Sequence, residues 1–377
     1  MTGNLNRKRI VAAKRVVIKI GSILLVDGKS GRLHRDWLEA LAKDIAEWRA
    51  RGQEIILVSS GAVALGRRYL DLKQGELRLE EKQAAAAAGM VRLSHAYQET
   101  LEQHGLNVAQ ILLTLDDSED RRRYLNARST ISMLLEVGAI PLINENDTVA
   151  TDEIRFGDND RLAARVAAMM SADMLILLSD IDGLYTADPS EDKSAKLVPE
   201  ITEITPGVEA MAGQAIASDS SGGMPTKLTA AKQCLSAGCH MVICKGRGTA
   251  PLSALEQGGT CSWFIASGNP QTARKRWIAG TLQPVGTIII DSGAKTALGE
   301  GKSLLPAGII DVEGEFERGD ALTVKSIDGQ EIARGLCAYS SADARRIMGY
   351  KTDEIEGLLG YRGRDEMIHR DDLVITQ

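Results

Sequence analysis

The chain has 377 residues, of which 44% are hydrophobic and 25% charged. Its length suggests two or three domains, with enough apolar material for a sizeable core. A net charge of −6 gives the whole chain no drive toward nucleic acid or an anionic membrane, and no run of about 18 apolar residues offers a transmembrane helix.

The basic N-terminus, residues 1–14, leads into a strand and lacks the apolar stretch of a signal peptide. Residues 15–25 are β-branched and apolar and read as a buried strand around Lys19-Ile20-Gly21-Ser22. Trp37, Leu38, Leu41, Ile45 and Trp48 recur at helical spacing, and this helix stops near Gly52. Glu54 to Val58 is the next strand, ending at Ser59-Ser60-Gly61. The alanine run 84–88 reads as a tightly packed helix. Strands follow over 108–113, 139–143, 174–178 and 240–244, with helices over 122–137, 159–170 and 225–237. This alternation predicts a three-layer α/β/α domain built on a mostly parallel sheet.

In such a sheet, ligands sit at the carboxyl ends of strands. The polar clusters fall there: Gly21-Ser22, Ser59-Ser60-Gly61, Asn144-Glu145-Asn146-Asp147 and Ser179-Asp180. After about residue 267 the character changes. A basic stretch, Arg274-Lys275-Arg276-Trp277, precedes short turn-rich strands. The expected division is 1–266 for the α/β domain, 267–283 for a linker and 284–377 for a small, mostly β domain. Residues 281–377 hold 17 acidic and 11 basic side chains, so this tail carries the whole net charge of −6.

Lys19 beside Gly21 can reach phosphate oxygens where glycine lets backbone approach; it is otherwise a lysine snorkelling at a strand end. Ser221-Gly222-Gly223-Met224-Pro225-Thr226-Lys227 combines two glycines, a proline placed to begin a helix and a lysine in the first turn. That lysine opposes the helix dipole, so it needs an anionic partner or solvent. Gly157-Asp158-Asn159-Asp160 has more polar side chains than one helix cap uses, and Asp160 can stand between two lysines. Asn144 to Asp147 is either a polar turn or a cage for an amino-acid ammonium group. Asp180 is either a turn residue or a nucleotide contact.

Three features are set aside. Gly299-Glu300-Gly301-Lys302-Ser303 looks like the end of a Walker A loop, but Thr296 stands where its first glycine belongs. The five cysteines, Cys234, Cys239, Cys244, Cys261 and Cys337, form no C-x-x-C pair and read as buried free thiols in a reducing cytosol. The histidines show no metal spacing, and no metal site built from protein side chains is expected.

Taken together, Lys19 to Ser22, Val58 to Ala62, Leu142 to Asp147, Gly157 to Asp160, Asp182 to Pro189, Ser221 to Lys227 and Arg274 to Trp277 resemble the glutamate 5-kinases of the amino acid kinase superfamily. The tail, with Ser303 to Gly308, looks like the PUA domain appended to many of them. The resemblance implies phosphorylation of the γ-carboxylate of L-glutamate by ATP with Mg²⁺, opening proline biosynthesis. It implies that Ser60, Gly61, Asp147 and Asn159 bind glutamate. It makes Lys19 and Lys227 the stabilisers of the moving phosphoryl group and Asp160 the residue that orients both. It lines the ATP site with Lys19, Gly21, Ser179, Asp180 and the run Ser221, Gly222, Gly223, Met224, Pro225, Thr226, Lys227. Ser221 and Pro225 depart from the family's usual Thr and Ser, so the Pro225 contact loses a hydroxyl and an amide. The resemblance further implies a cytoplasmic homodimer or homotetramer, with γ-glutamyl phosphate reductase as a partner. The rival readings are kinases of acetylglutamate, aspartate, carbamate or UMP, and an RNA-binding PUA protein, which the acidic tail disfavours.

Overall fold

Of the run read as one strand over 15–25, only Arg15–Ile20 is strand β1, buried at every position after Arg15, and Ser22–Leu25 is a short helix instead. Strand β1 runs parallel to β2 (Glu54–Ser59) on one side and β5 (Met174–Ser179) on the other. A strand covered on both faces accounts for its near-continuous apolar sequence. The computed structural model describes residues 2–28, 30–73, 75–150, 158–213, 223–281 and 283–376. The chain divides into two compact units, Met1–Pro270 and Gln271–Gln377.

The first unit holds eight strands in the order β3-β4-β2-β1-β5-β7-β8-β6. The further strands are β3 (Val108–Leu113), β4 (Ile140–Glu145), β6 (Glu200–Ile201), β7 (His240–Lys245) and β8 (Cys261–Phe264). The sheet is parallel throughout except where β8 runs antiparallel to β7. Helices α1 (Thr2–Ala12), α2 (Ser22–Leu25), α3 (Arg35–Ala50), α4 (Ala62–Tyr69) and α5 (Leu79–Glu102) precede β3. Helices α6 (Leu115–Glu119), α7 (Arg121–Glu136), α8 (Asn159–Met169), α9 (Pro206–Met211), α10 (Met224–Ser236) and α11 (Pro251–Glu256) follow. The N-terminal segment therefore enters β1 from a helix, which its basic composition did not announce.

Alternate side chains of a strand point to opposite faces. Val16, Ile18 and Ile20 of β1 pack in one core with Ile45 and Trp48 of α3 and Leu93 and Tyr97 of α5. Val17 packs in the other core with Leu162 and Val166 of α8 and Leu228 and Ala231 of α10. Lys19 is two residues beyond Val17, so the same alternation sends it to the layer of α8 and α10. The α4–α5 contact is unusually close. A Cβ on Gly66 would lie 1.7 Å from the Ala85 carbonyl oxygen, and one on Gly89 would lie 1.8 Å from that of Ala62. The alanine run read as a tight helix belongs to this contact.

The second unit has its own sheet, in the order β10-β9-β11-β12-β13. Its strands are β9 (Gly286–Ile290), β10 (Ile309–Glu313), β11 (Ala321–Ser326), β12 (Glu331–Leu336) and β13 (Leu373–Ile375). Its helices include α12 (Pro270–Thr281), α13 (Ser292–Gly299), α14 (Ser341–Ile347) and α15 (Ile355–Leu359). Ile288, Ile290, Leu322, Val324 and Ile347 share a separate core. The segment read as a linker thus carries α12. Arg274, from its basic run, is buried and donates from Nε and Nη2 to Asp372 Oδ1 at 3.1 and 2.6 Å. The Walker-like run begins at the last residue of α13 and does not join a strand to a helix. All five cysteines are free and buried.

Candidate active site

Three charged side chains converge in the α8/α10 layer. Asp160, in the first turn of α8, is fully buried. Its Oδ1 lies 2.6 Å from Lys19 Nζ, and its Oδ2 accepts from Lys227 Nζ at 2.8 Å. Lys19 and Lys227 are only 7% and 4% exposed, so both ammonium groups are placed by the fold and not by solvent. Burial works against ionised Asp160. The Lys19 ammonium and then that of Lys227 outweigh it and hold the carboxyl below its ordinary value. The helix N-terminus adds in the same direction, and Asp158 caps α8 by accepting from the Asp160 amide at 2.8 Å. The anion that Lys227 needs at the start of its own helix is therefore Asp160.

On the β2/β4 side of Lys19 a polar cage is tied together by Asn159. Its Nδ2 lies 2.9 Å from the Ser59 carbonyl, Ser60 Oγ and Asn144 Oδ1. Two hydrogens serve three acceptors, so one contact is shared. Asn144 Oδ1 also accepts from the Glu145 amide at 2.9 Å. β4 runs through Asn144 and Glu145, two residues further than expected, and both are buried. Asp147 is half-buried in the turn that follows. Gly61 caps α4 with φ of 104°, and a Cβ there would come within 3.3 Å of Val26 Cγ2. Only glycine suits that position without strain.

On the β5/β7 side, Ser179 ends β5 and its hydroxyl donates to Asp180 Oδ1 at 3.1 Å, with Asp180 exposed. Gly223 is the cap of α10, with Met224 and Pro225 in its first two positions. An amide at that position has no helical partner, so proline costs the helix itself nothing there. Thr226 Oγ1 donates to the Gly223 carbonyl at 2.7 Å. Ser221 and Gly222, like Gly157, lie outside the described residues. Gly21 lies between β1 and α2. Its φ is −70°, a Cβ would sit 3.5 Å from the Leu178 carbonyl oxygen, and its amide donates to that oxygen at 3.3 Å. The fold itself does not require glycine at 21, and that amide serves the sheet.

Among the described residues no group of three or more His, Cys, Asp or Glu side chains is arranged to hold a metal. Both oxygens of Asp160 face lysines, which leaves it unsuited to that task. Residues that the sequence motifs did not single out also support the cage. Tyr97 of α5 lies 3.0 Å from Ser59 Oγ, and Met90 Sδ accepts from Asn144 Nδ2 at 3.7 Å. Their only sequence signal is helical spacing, which core residues share.

Comparison with known proteins agrees with this architecture. The amino acid kinase family model matches residues 14–245, and the PUA domain model matches 286–359. A glutamate 5-kinase of Paramagnetospirillum magneticum is 62% identical over 97% of this chain and 99% of its own. Those of Rhodospirillum rubrum and Agrobacterium fabrum are each 58% identical, over 95% and 99% of this chain and 96% of their own. A solved carbamate kinase from Giardia lamblia bound to AMP-PNP is similar over 68% of this chain and 100% of its own, with a TM-score of 0.49 and 17% identity. Identity at this level over nearly the whole length, across a kinase domain followed by a PUA domain, makes this chain a member of the glutamate 5-kinase family.

Proposed function

We propose that this protein transfers the γ-phosphoryl group of ATP to the γ-carboxylate of L-glutamate, giving γ-glutamyl phosphate and ADP as the first step of proline biosynthesis. The observation that carries the reading is the buried Lys19–Asp160–Lys227 array between the Asn159 cage and the β5/α10 side, in a chain 62% identical to a glutamate 5-kinase.

A glutamate carboxylate, with a pKa of about 4.3, is already a nucleophile at neutral pH, so no general base is required. The obstacle is repulsion between two anions. Lys19 and Lys227 oppose it by placing two fixed positive charges where the phosphoryl group crosses, in a site largely shielded from water. Asp160 keeps both ammonium groups in register before the substrates arrive, so little reorganisation remains for the transfer. Ser60, Gly61, Asp147 and Asn159 bind glutamate, with Asp147 facing its ammonium group. Lys19, Gly21, Ser179, Asp180 and the run from Ser221 to Lys227 line the ATP site, and Pro225 contributes shape there without a donor. Mg²⁺ travels on the nucleotide phosphates and, when bound, neutralises charge on the phosphoryl oxygens.

In this reading the protein is a cytoplasmic dimer or tetramer that passes an acyl phosphate, labile in water, to γ-glutamyl phosphate reductase. The PUA domain lies in residues 281–377, whose balance is −6, and it serves regulation or assembly, not RNA binding. Incubation with ATP, Mg²⁺ and L-glutamate in the presence of hydroxylamine tests the activity. Glutamate-dependent ADP release with formation of the hydroxamate is expected. Turnover with acetylglutamate, aspartate, carbamate or UMP in place of glutamate would overturn the substrate assignment.

A further inference from the structure

Helix α5 touches the cage at three points spaced seven residues apart. Gln83 Nε2 donates to the Ala150 carbonyl at 3.2 Å, Met90 Sδ accepts from Asn144 Nδ2 at 3.7 Å, and the Tyr97 hydroxyl lies 3.0 Å from Ser59 Oγ. Residues seven apart fall within about 20° of one another around a helix, so these three form one stripe. Each reaches a different part of the cage: the turn after β4, the end of β4 and the end of β2. Tyr97 is fully buried and Met90 is 8% exposed.

The geometry at Tyr97 sets an order of protons. Ser59 Oγ donates to the Ser60 carbonyl at 3.2 Å. Having one hydrogen, it then accepts from the Tyr97 hydroxyl. Burial pushes the Tyr97 phenol above its ordinary value, which keeps it a neutral donor. The chain runs from Tyr97 through Ser59 to the Ser60 carbonyl. A trans peptide points its N–H opposite to its C=O, so this chain also fixes the direction of the Gly61 amide at the start of α4. Met90 acts similarly on Asn144. By engaging Nδ2 it orients Oδ1 toward Asn159 Nδ2 and the Glu145 amide, both at 2.9 Å.

We infer that Gln83, Met90 and Tyr97 are positioning residues that set the affinity for the carboxylate acceptor and leave nucleotide affinity unchanged. The inference rests on the glutamate kinase reading above. α5 packs in the layer opposite α8 and α10, so the stripe reaches the acceptor cage without touching the helix that carries Lys227.

Steady-state kinetics of Tyr97→Phe test it. The expected result is a KM for glutamate raised roughly tenfold, the worth of one buried hydrogen bond of about 1.4 kcal/mol, with the KM for ATP within about twofold of wild type. Gln83→Ala, at a half-buried position, is expected to raise the glutamate KM about threefold, for a weaker contact. The double variant Tyr97→Phe/Ser59→Ala should be no worse than the more affected single, because both remove one chain of hydrogen bonds. A loss of stability with both KM values moving together, or no change in either, would show a merely structural role and overturn the inference. Should Tyr97→Phe fail to fold, Gln83→Ala and Met90→Leu decide by the same split of KM values. Wild-type protein that does not turn over glutamate overturns the functional reading and this inference with it. Wild-type turnover with unchanged glutamate KM in the variants overturns the inference alone.

Discussion

Substituting Gly89 by alanine opposes two effects of known size. In a helix interior alanine is favoured over glycine by about 1 kcal/mol, so α5 alone is stabilised. The added methyl, however, lands 1.8 Å from the Ala62 carbonyl oxygen and 2.7 Å from the Gly66 amide nitrogen. Both obstacles are backbone, and neither can rotate away. To restore ordinary contact, α4 and α5 must separate by roughly 1.5 Å. Overpacking of this kind costs about 1–3 kcal/mol, and rigid backbone places it at the upper end or above. We therefore expect a net loss of about 2 kcal/mol. α4 begins at Ala62, directly after Ser60 and Gly61, so the retreat also reaches the acceptor cage. Denaturant unfolding of the full chain, together with glutamate and ATP kinetics, reads both effects. The expected outcome is lower stability and a higher glutamate KM. A Gly89→Ala protein as stable as wild type, with an unchanged glutamate KM, would refute the close contact and its link to the cage.

Lys227→Ala should lower kcat by about 10²–10³-fold, the usual cost of one transition-state donor, while Asp160 keeps its bond to Lys19; a folded variant with near-wild-type kcat would remove Lys227 from the chemistry. Asp160 has a depressed carboxyl pKa in the fold. Its stabilising contribution is present above the unfolded value of about 3.9 and is lost as pH falls through the lower folded value. The melting-temperature gap between wild type and Asp160→Asn should accordingly stay constant from about pH 7 to 5 and close only below about pH 4; a gap that closes near neutrality would contradict the ion-pair geometry. All five cysteines are buried, and burial raises the pKa of Cys239, Cys244, Cys261 and Cys337; a thiol reagent at pH 8 should therefore find no accessible thiol in the folded chain and titrate all five in denaturant.

The central strands were legible because β1, β2, β4, β5 and β7 are buried on both faces and read as apolar runs punctuated by polar residues at their carboxyl ends. Lys227 was legible for an electrostatic reason: a lysine in the first turn of a helix requires an anion. Other features depend on contacts that local sequence cannot show. The short β6 and the antiparallel β8 carry no connection signal of their own. Arg274 reads as one of several exposed cations until Asp372, 98 residues away, is brought beside it. Gly66 and Gly89 look like helix weaknesses until the two helices are seen to share them. Tyr97, Met90 and Gln83 have the spacing of any helical core stripe, and only the pairing of β2 with β4 places that stripe beneath a site.

This difference in legibility follows the division of labour in the first unit. The groups proposed to act on the phosphoryl transfer, Lys19, Asp160 and Lys227, are charged residues where charge is costly, so each stands out in sequence. The groups proposed to hold the acceptor cage from behind are apolar or neutral residues in ordinary core positions, so none does. β1 joins the two systems through its alternation: Ile18 and Ile20 face the α3/α5 core, while Lys19 faces α8 and α10. A substitution should therefore reveal its layer by its kinetics. Changes on the α5 side should move the glutamate KM, and changes to Lys19, Asp160 or Lys227 in the α8/α10 layer should move kcat. A core variant of α5 that lowers kcat without moving the glutamate KM would show that the two layers are mechanically coupled through β1 and do not act separately.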